Sequence, residues 1–155
     1  MTTADGIRPA TTDDVPAVRA VTDAAYHRYI ERIGLRPAPM DRDHAEDVAA
    51  GRVFVTGDPV TGLVVLVPHE DHLYLESIAV HPDAHGRGVG RVLLHFVERR
   101  AHELGLPEVR LLTNALMWEN QKIYAHYGYE VVERRKEGAY DRIHYRKPLT
   151  EPAES

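Results

Sequence analysis

Between Leu73 and Leu104 the chain runs strand, proline stop, glycine-rich turn and amphipathic helix, and no other segment restricts the fold as tightly. Leu73–Val80 alternates, with Leu73, Leu75, Ser77 and Ala79 on one face and Tyr74, Glu76, Ile78 and Val80 on the other. That is the period of a β-strand. His81-Pro82-Asp83 stops it, and His85-Gly86-Arg87-Gly88-Val89-Gly90 then leads into a helix. The helix has an apolar stripe of Leu93, Leu94, Phe96, Val97, Ala101 and Leu104, with Glu98, Arg99, Arg100 and Glu103 solvated and Gly105 as its stop. Glycines in such a turn let backbone N–H groups approach an anion, and the helix N-terminus adds partial positive charge. The segment therefore reads as a site for a phosphate-bearing ligand.

The flanking sequence supplies strands and helices in an order that fits one α+β (mixed α/β) domain. After a short start at Gly6–Pro9, Thr11-Thr12-Asp13-Asp14 offers helix caps, and Val15, Val18, Val21, Ala25 and Tyr29 predict a helix from about Val15 to Tyr29. The stretch from Gly34 to Pro39, with its two prolines, must break it. A short polar helix is expected around Asp41–Ala50, ending at Gly51. Arg52–Thr56 and Leu63–Val67 read as strands around a turn at Gly57-Asp58-Pro59. Beyond the central segment come a strand at Val109–Thr113, a helix at about Glu119–His126, and two strands near Tyr129–Arg135 and Tyr140–Pro148. A single domain over residues 1–149 is expected, with a frayed tail at Thr150–Ser155.

Composition removes several function classes. With no cysteine there is no disulfide, thiolate metal site, iron–sulfur cluster or cysteine nucleophile. The chain carries 19 Lys and Arg against 24 Asp and Glu, a formal net charge of −5. That balance argues against nucleic acid as the main partner. Leu63–Val67 is far too short to span a bilayer, and residues 1–10 show no targeting segment, so no membrane partner is expected and a cytoplasmic protein is the default. The ten histidines suggest no metal. His69-Glu70-Asp71-His72 falls one residue short of the zinc-protease spacing and follows Pro68 in a loop. The only internal serine, Ser77, sits in no nucleophile motif.

The turn also lacks a Walker loop, and the third glycine of the dinucleotide fingerprint is replaced by Arg91. The pattern His85-Gly86-Arg87-Gly88-Val89-Gly90, with the preceding Leu75-Glu76-Ser77-Ile78-Ala79-Val80-His81-Pro82, resembles the acyl-CoA-binding motif of the GNAT superfamily of N-acetyltransferases. That motif usually has Gln or Arg where this chain has His85. The likeness extends to Asn120–Tyr129, which is similar to the family's helix and Gly-aromatic signature, with Tyr124 four residues before Gly128. The family's asparagine seven residues before the tyrosine is Met117 here, with Asn120 a candidate substitute.

This resemblance implies a GNAT-like central twisted, mostly antiparallel sheet flanked by helices, with splayed central strands. It implies acetyl-CoA as donor, held by Ile78, Ala79, Val80, His85, Gly86, Arg87, Gly88, Val89, Gly90, Arg91, Asn114, Asn120 and Tyr124. It also implies direct acetyl transfer to an amine, with Glu76 as the base, Tyr124 as the acid at the leaving sulfur, and Tyr26, Tyr29 and Glu76 on the acceptor side. A homodimer through the last strands is common in similar proteins. The rival reading is a non-catalytic acyl-CoA-binding module of the same fold, used for sensing or assembly.

Overall fold

The computed structural model describes residues 6–150, so the expected tail lies outside them except for Thr150. The elements run β1 (Ile7–Pro9), α1 (Val15–Ile33), α2 (His44–Ala49), β2 (Val53–Thr56), β3 (Gly62–Pro68), β4 (Leu73–Val80), α3 (Val89–Glu103), β5 (Glu108–Asn114), α4 (Trp118–His126), β6 (Glu130–Glu137) and β7 (Tyr140–Pro148). Short 3-10 turns occupy Thr12–Asp14, Ala38–Asp41 and Pro82–Ala84. The seven strands follow the order β1-β2-β3-β4-β5-β7-β6. The registered pairs are antiparallel except β4 with β5, which is parallel and joins Leu73, Tyr74 and Leu75 to Val109, Arg110 and Leu111. This is the mixed α+β class that the element order predicts, with the mostly antiparallel sheet that the family resemblance implies. No helix among the described residues is long and apolar enough to cross a membrane.

Two compact units share the chain: one holds the residues up to Val67 with Glu76–Val97, the other Pro68–Leu75 with Glu98 onward. In the first, α1 runs one turn past the expected end at Tyr29. Its stop is Gly34, which takes the left-handed conformation (φ +80°) and returns its N–H to the Ile30 carbonyl. The expected polar helix is shorter, with α2 beginning at His44, because the Asp43 carboxylate caps it by accepting the Glu46 N–H at 3.0 Å. Phe54 of β2 meets Phe96 of α3 at 5.0 Å between ring centroids, which fixes α3 on that face of the sheet. Gly62 sits where a Cβ would come 2.8 Å from Val89 and 3.0 Å from Leu93, so the strand and helix approach as closely as a glycine permits. Leu63–Leu66 are buried on both faces in consequence.

In the second unit Val109 and Leu111 of β5 and Ile143 and Tyr145 of β7 form the buried side. Tyr124 of α4 packs there, with ring centroids 5.8 Å from Tyr129 and 5.7 Å from Tyr145. Lys147 and Glu98 form an ion pair at 2.5 Å, which ties β7 to the last turns of α3. Edge strand β6 is exposed along nearly its whole length and is laced with charge pairs, among them Arg134–Asp141 and Arg135–Glu133. Charge along an edge opposes further strand pairing. His69 and His72, in the turn before β4, stack on each other at 4.5 Å with an 8° interplanar angle.

Candidate functional site

The candidate anion-binding turn lies in the first unit. β4 ends at Val80, and His81 starts the turn: its imidazole Nδ1 accepts the Asp83 N–H at 3.1 Å, while its own N–H reaches the Thr61 carbonyl at 2.7 Å. The chain then passes through Gly86 (φ +82°) and Gly88 (φ +77°), a backbone shape that side chains with a Cβ resist. The Val92 N–H bonds the Gly88 carbonyl at 3.1 Å as α3 begins, which leaves the N–H groups of Val89, Gly90 and Arg91 without an acceptor inside the helix. Arg91 folds back over the turn, its guanidinium 3.7 Å from where a Gly88 Cβ would lie. Arg87 is exposed beside it. Open amides, a helix N-terminus and two guanidiniums make a local positive site on a chain of net negative charge, and this donor set fits a pyrophosphate.

Glu76 of β4 is half-buried, and its carboxylate Oε2 lies 3.3 Å from Arg42 Nη1. Arg42 is in turn forked onto Asp47, whose carboxylate is buried. Two residues along β4, the Ile78 carbonyl accepts a hydrogen bond from the Tyr26 hydroxyl at 2.8 Å. Burial pushes that hydroxyl up to about 12, so it remains a donor across the physiological range. Tyr29 is also buried, with the guanidiniums of Arg28 and Arg32 at 4.8 and 5.1 Å from its ring centroid. Both rings therefore belong to the interior of the first unit, with Tyr26 directed at β4.

The second unit holds Asn114, Met117, Asn120 and Tyr124, brought together at the passage from β5 to α4. The buried Asn114 accepts the Leu116 N–H through Oδ1 at 2.9 Å and so shapes the turn into α4. Met117 is buried, and its sulfur accepts from Thr113 Oγ1 at 3.5 Å and from Asn120 Nδ2 at 3.6 Å. Asn120 is thus turned toward Met117. Tyr124 is buried one turn further on.

Sequence reasoning missed Arg42, Asp47 and Arg52. Arg42 and Asp47 stand in a stretch that reads as a short polar helix and Arg52 at the start of a predicted strand, and the one available signal was the run of charges from Asp41 to Asp47. The link to Glu76 crosses 34 positions and has no local signature.

The comparisons with known proteins agree with this geometry. A sequence model of the acetyltransferase (GNAT) domain matches residues 49–131, from α2 through β2–β5 and α3–α4 into β6. Among solved structures, the chain is similar to the PaiA N-acetyltransferase of Thermoplasma acidophilum in complex with coenzyme A. That likeness has a TM-score of 0.76 and 16% identity over 92% of this chain and 98% of that one. It is also similar to the ribosomal-protein-S18-alanine N-acetyltransferase of Escherichia coli, with a TM-score of 0.70 and 19% identity over 96% of each chain. A GNAT-family acetyltransferase of Listeria monocytogenes gives a TM-score of 0.71 and 19% identity over 92% of this chain and 94% of that one. No curated protein sequence matches. The domain match spans more than half of the 155 residues and takes in β4, the glycine turn and α3, and on it the protein belongs to the GNAT acetyltransferases and is an acyltransferase.

Proposed function

We propose that the chain transfers the acetyl group of acetyl-CoA directly to a primary amine of a small molecule, peptide or protein. The observation that carries this reading is the left-handed Gly86–Gly88 turn, which opens the first amides of α3 beneath Arg91. In this reading the amides from Gly86 to Gly90, with Arg87 and Arg91, hold the pyrophosphate beside His85, whose own amide is given to the Pro82 carbonyl at 3.2 Å, and the β4 backbone at Ile78, Ala79 and Val80 runs along the pantetheine. Asn114 keeps the β5–α4 turn in shape. Asn120 reaches the donor only by giving up its weak contact with Met117.

The donor supplies an activated acetyl group on sulfur. The chain's own residues manage protons. An alkylamine of pKa about 10 is mostly protonated near neutral pH. It must lose one proton before its nitrogen bonds the acetyl carbon and a second as the amide forms. Glu76 takes one of these protons, directly or through water, and the other passes to solvent. As the carbon–sulfur bond breaks, the sulfur leaves as a thiolate and Tyr124 donates its phenol proton to it, recovering one from solvent. A thiol of pKa about 8.5 leaves tolerably well unaided, so Tyr124 contributes less than Glu76. Tyr26 and Tyr29 support the acceptor side from beneath, Tyr26 by fixing the Ile78 carbonyl.

Steady-state kinetics on two variants test these roles. Glu76→Gln is expected to lower kcat by about 100-fold near neutral pH and to recover partly at high pH, where free amine is abundant. Tyr124→Phe is expected to lower kcat by roughly three- to tenfold with acetyl-CoA affinity largely spared. Wild-type rates in both variants would show that the two assignments are wrong.

A further inference from the structure

We infer that Arg42, anchored by Asp47, is a positioning residue that fixes the Glu76 carboxylate for proton transfer. The inference rests on the reading of Glu76 as the base. Asp47 projects from α2 and is almost wholly buried. Its Oδ2 accepts from Arg42 Nε at 2.8 Å, and its Oδ1 accepts from Arg42 Nη2 at 2.8 Å and from Arg52 Nη1 at 3.1 Å. The backbone around Asp47 is equally constrained: its N–H reaches the Asp43 carbonyl and its carbonyl accepts the Arg52 N–H, both at 3.0 Å. Arg42 is therefore gripped along one edge of its guanidinium by a carboxylate that cannot turn.

The other edge of that guanidinium carries Nη1, which lies 3.3 Å from Glu76 Oε2. A planar guanidinium can hold one carboxylate with two nitrogens and direct a third at another; an ammonium cannot. Engaging Oε2 restricts the rotation of the Glu76 side chain and leaves Oε1 to meet the amine proton. Without Asp47, Arg42 would lose its anchor and Glu76 its fixed partner. The carboxylate on α2 thus acts on the base through one intervening side chain, all within the first unit.

The test is a double-variant cycle read in kcat and in KM for acetyl-CoA, with folding followed by thermal melting. Arg42→Gln is expected to lower kcat about 10- to 100-fold, the cost of a misplaced catalytic group, with KM for acetyl-CoA within about twofold. Arg42→Lys keeps the charge but loses the fork, and is expected not to restore the rate. Asp47→Asn should move kcat in the same direction. In the Glu76→Gln background, Arg42→Gln should cost little more, because the two residues act as one unit. If Arg42→Gln fails to fold, Arg42→Lys and Asp47→Asn carry the test. Losses that simply add, or wild-type kcat in Arg42→Gln beside a slow Glu76→Gln, would overturn the positioning role alone. A wild-type rate in Glu76→Gln would overturn the base, and this inference with it.

Discussion

Replacing Gly88 with valine is expected to weaken acetyl-CoA binding by about tenfold or more. Gly88 holds φ +77°, where a side chain with a Cβ pays roughly 1–2 kcal/mol and a β-branched one the most. Space is not the obstacle, since the added Cβ would meet only the Arg91 guanidinium at an ordinary 3.7 Å. The backbone can answer the strain in two ways. It can keep the turn and lose stability, or it can leave the left-handed region and rotate the Gly88 and Val89 amides away from the anion. The second route removes hydrogen bonds to a charged group, each worth about 1.5–3 kcal/mol, and so accounts for a tenfold loss or more. Gly105→Val is the control. Gly105 sits past the opposite end of the same helix at φ +71°, with nothing within 4 Å of an added Cβ. It should show similar strain in thermal melting and unchanged affinity for acetyl-CoA by calorimetry. Equal affinity losses in both variants would mean that the turn acts through stability and not through its amides.

The second large effect is expected at Asp47. Asp47→Ala removes a buried carboxylate that accepts three charge-assisted hydrogen bonds from Arg42 and Arg52. The arginines left behind are a quarter to a third exposed and can turn toward water, which discounts the full penalty of a broken buried pair. The net loss should be about 2–3 kcal/mol, or roughly 5–10 °C in Tm for a domain of this size. The pH dependence has a definite sign. Burial pushes the Asp47 carboxyl up, but the Arg42 and Arg52 guanidiniums together outweigh it and hold the group below its ordinary value. Its contribution is therefore complete above an unfolded value of about 4 and fades as pH falls through the lower folded value. Wild type should lose stability on acidification more steeply than Asp47→Ala, by up to about 1.4 kcal/mol per pH unit, and the two melting curves should converge at low pH. Parallel profiles below pH 4 would show that Asp47 does not hold its charge in the fold.

Much of the fold was legible because strong local patterns and tertiary demands agree. The alternation over Leu73–Val80 matches β4 residue for residue, since a strand with one buried face must alternate. β1 gave no pattern, because three residues are too few to show one and Ile7–Pro9 is a strand only through its pairing with Phe54–Thr56. α1 runs one turn beyond Tyr29, to Ile33, because what stops it is the left-handed C-cap at Gly34, the first residue of the Gly34–Pro39 break.

The site divides along the same line. Its backbone part, the turn at Gly86 and Gly88, is written in glycines that the conformation requires. Its side-chain part is not local. The spacing of Tyr26 and Tyr29 cannot tell whether those rings line a pocket or fill an interior, and they are buried. Met117 looks like a lost asparagine in the sequence, yet its buried sulfur receives contacts from Thr113 and Asn120. The Arg42–Asp47 pair is local, but its link to Glu76 joins segments that only the fold brings together.

Direct transfer is tested most simply by the thiol it must release. With acetyl-CoA present, free thiol is followed continuously while a panel of primary amines is added, from polyamines and amino acids to peptides with free N-termini and lysine side chains. The account predicts amine-dependent thiol release with at least one class, matched mole for mole by acetylated amine and reduced in Glu76→Gln. Acetyl-CoA binding by calorimetry without amine-dependent thiol release across the panel, or no acyl-CoA binding at all, would contradict it.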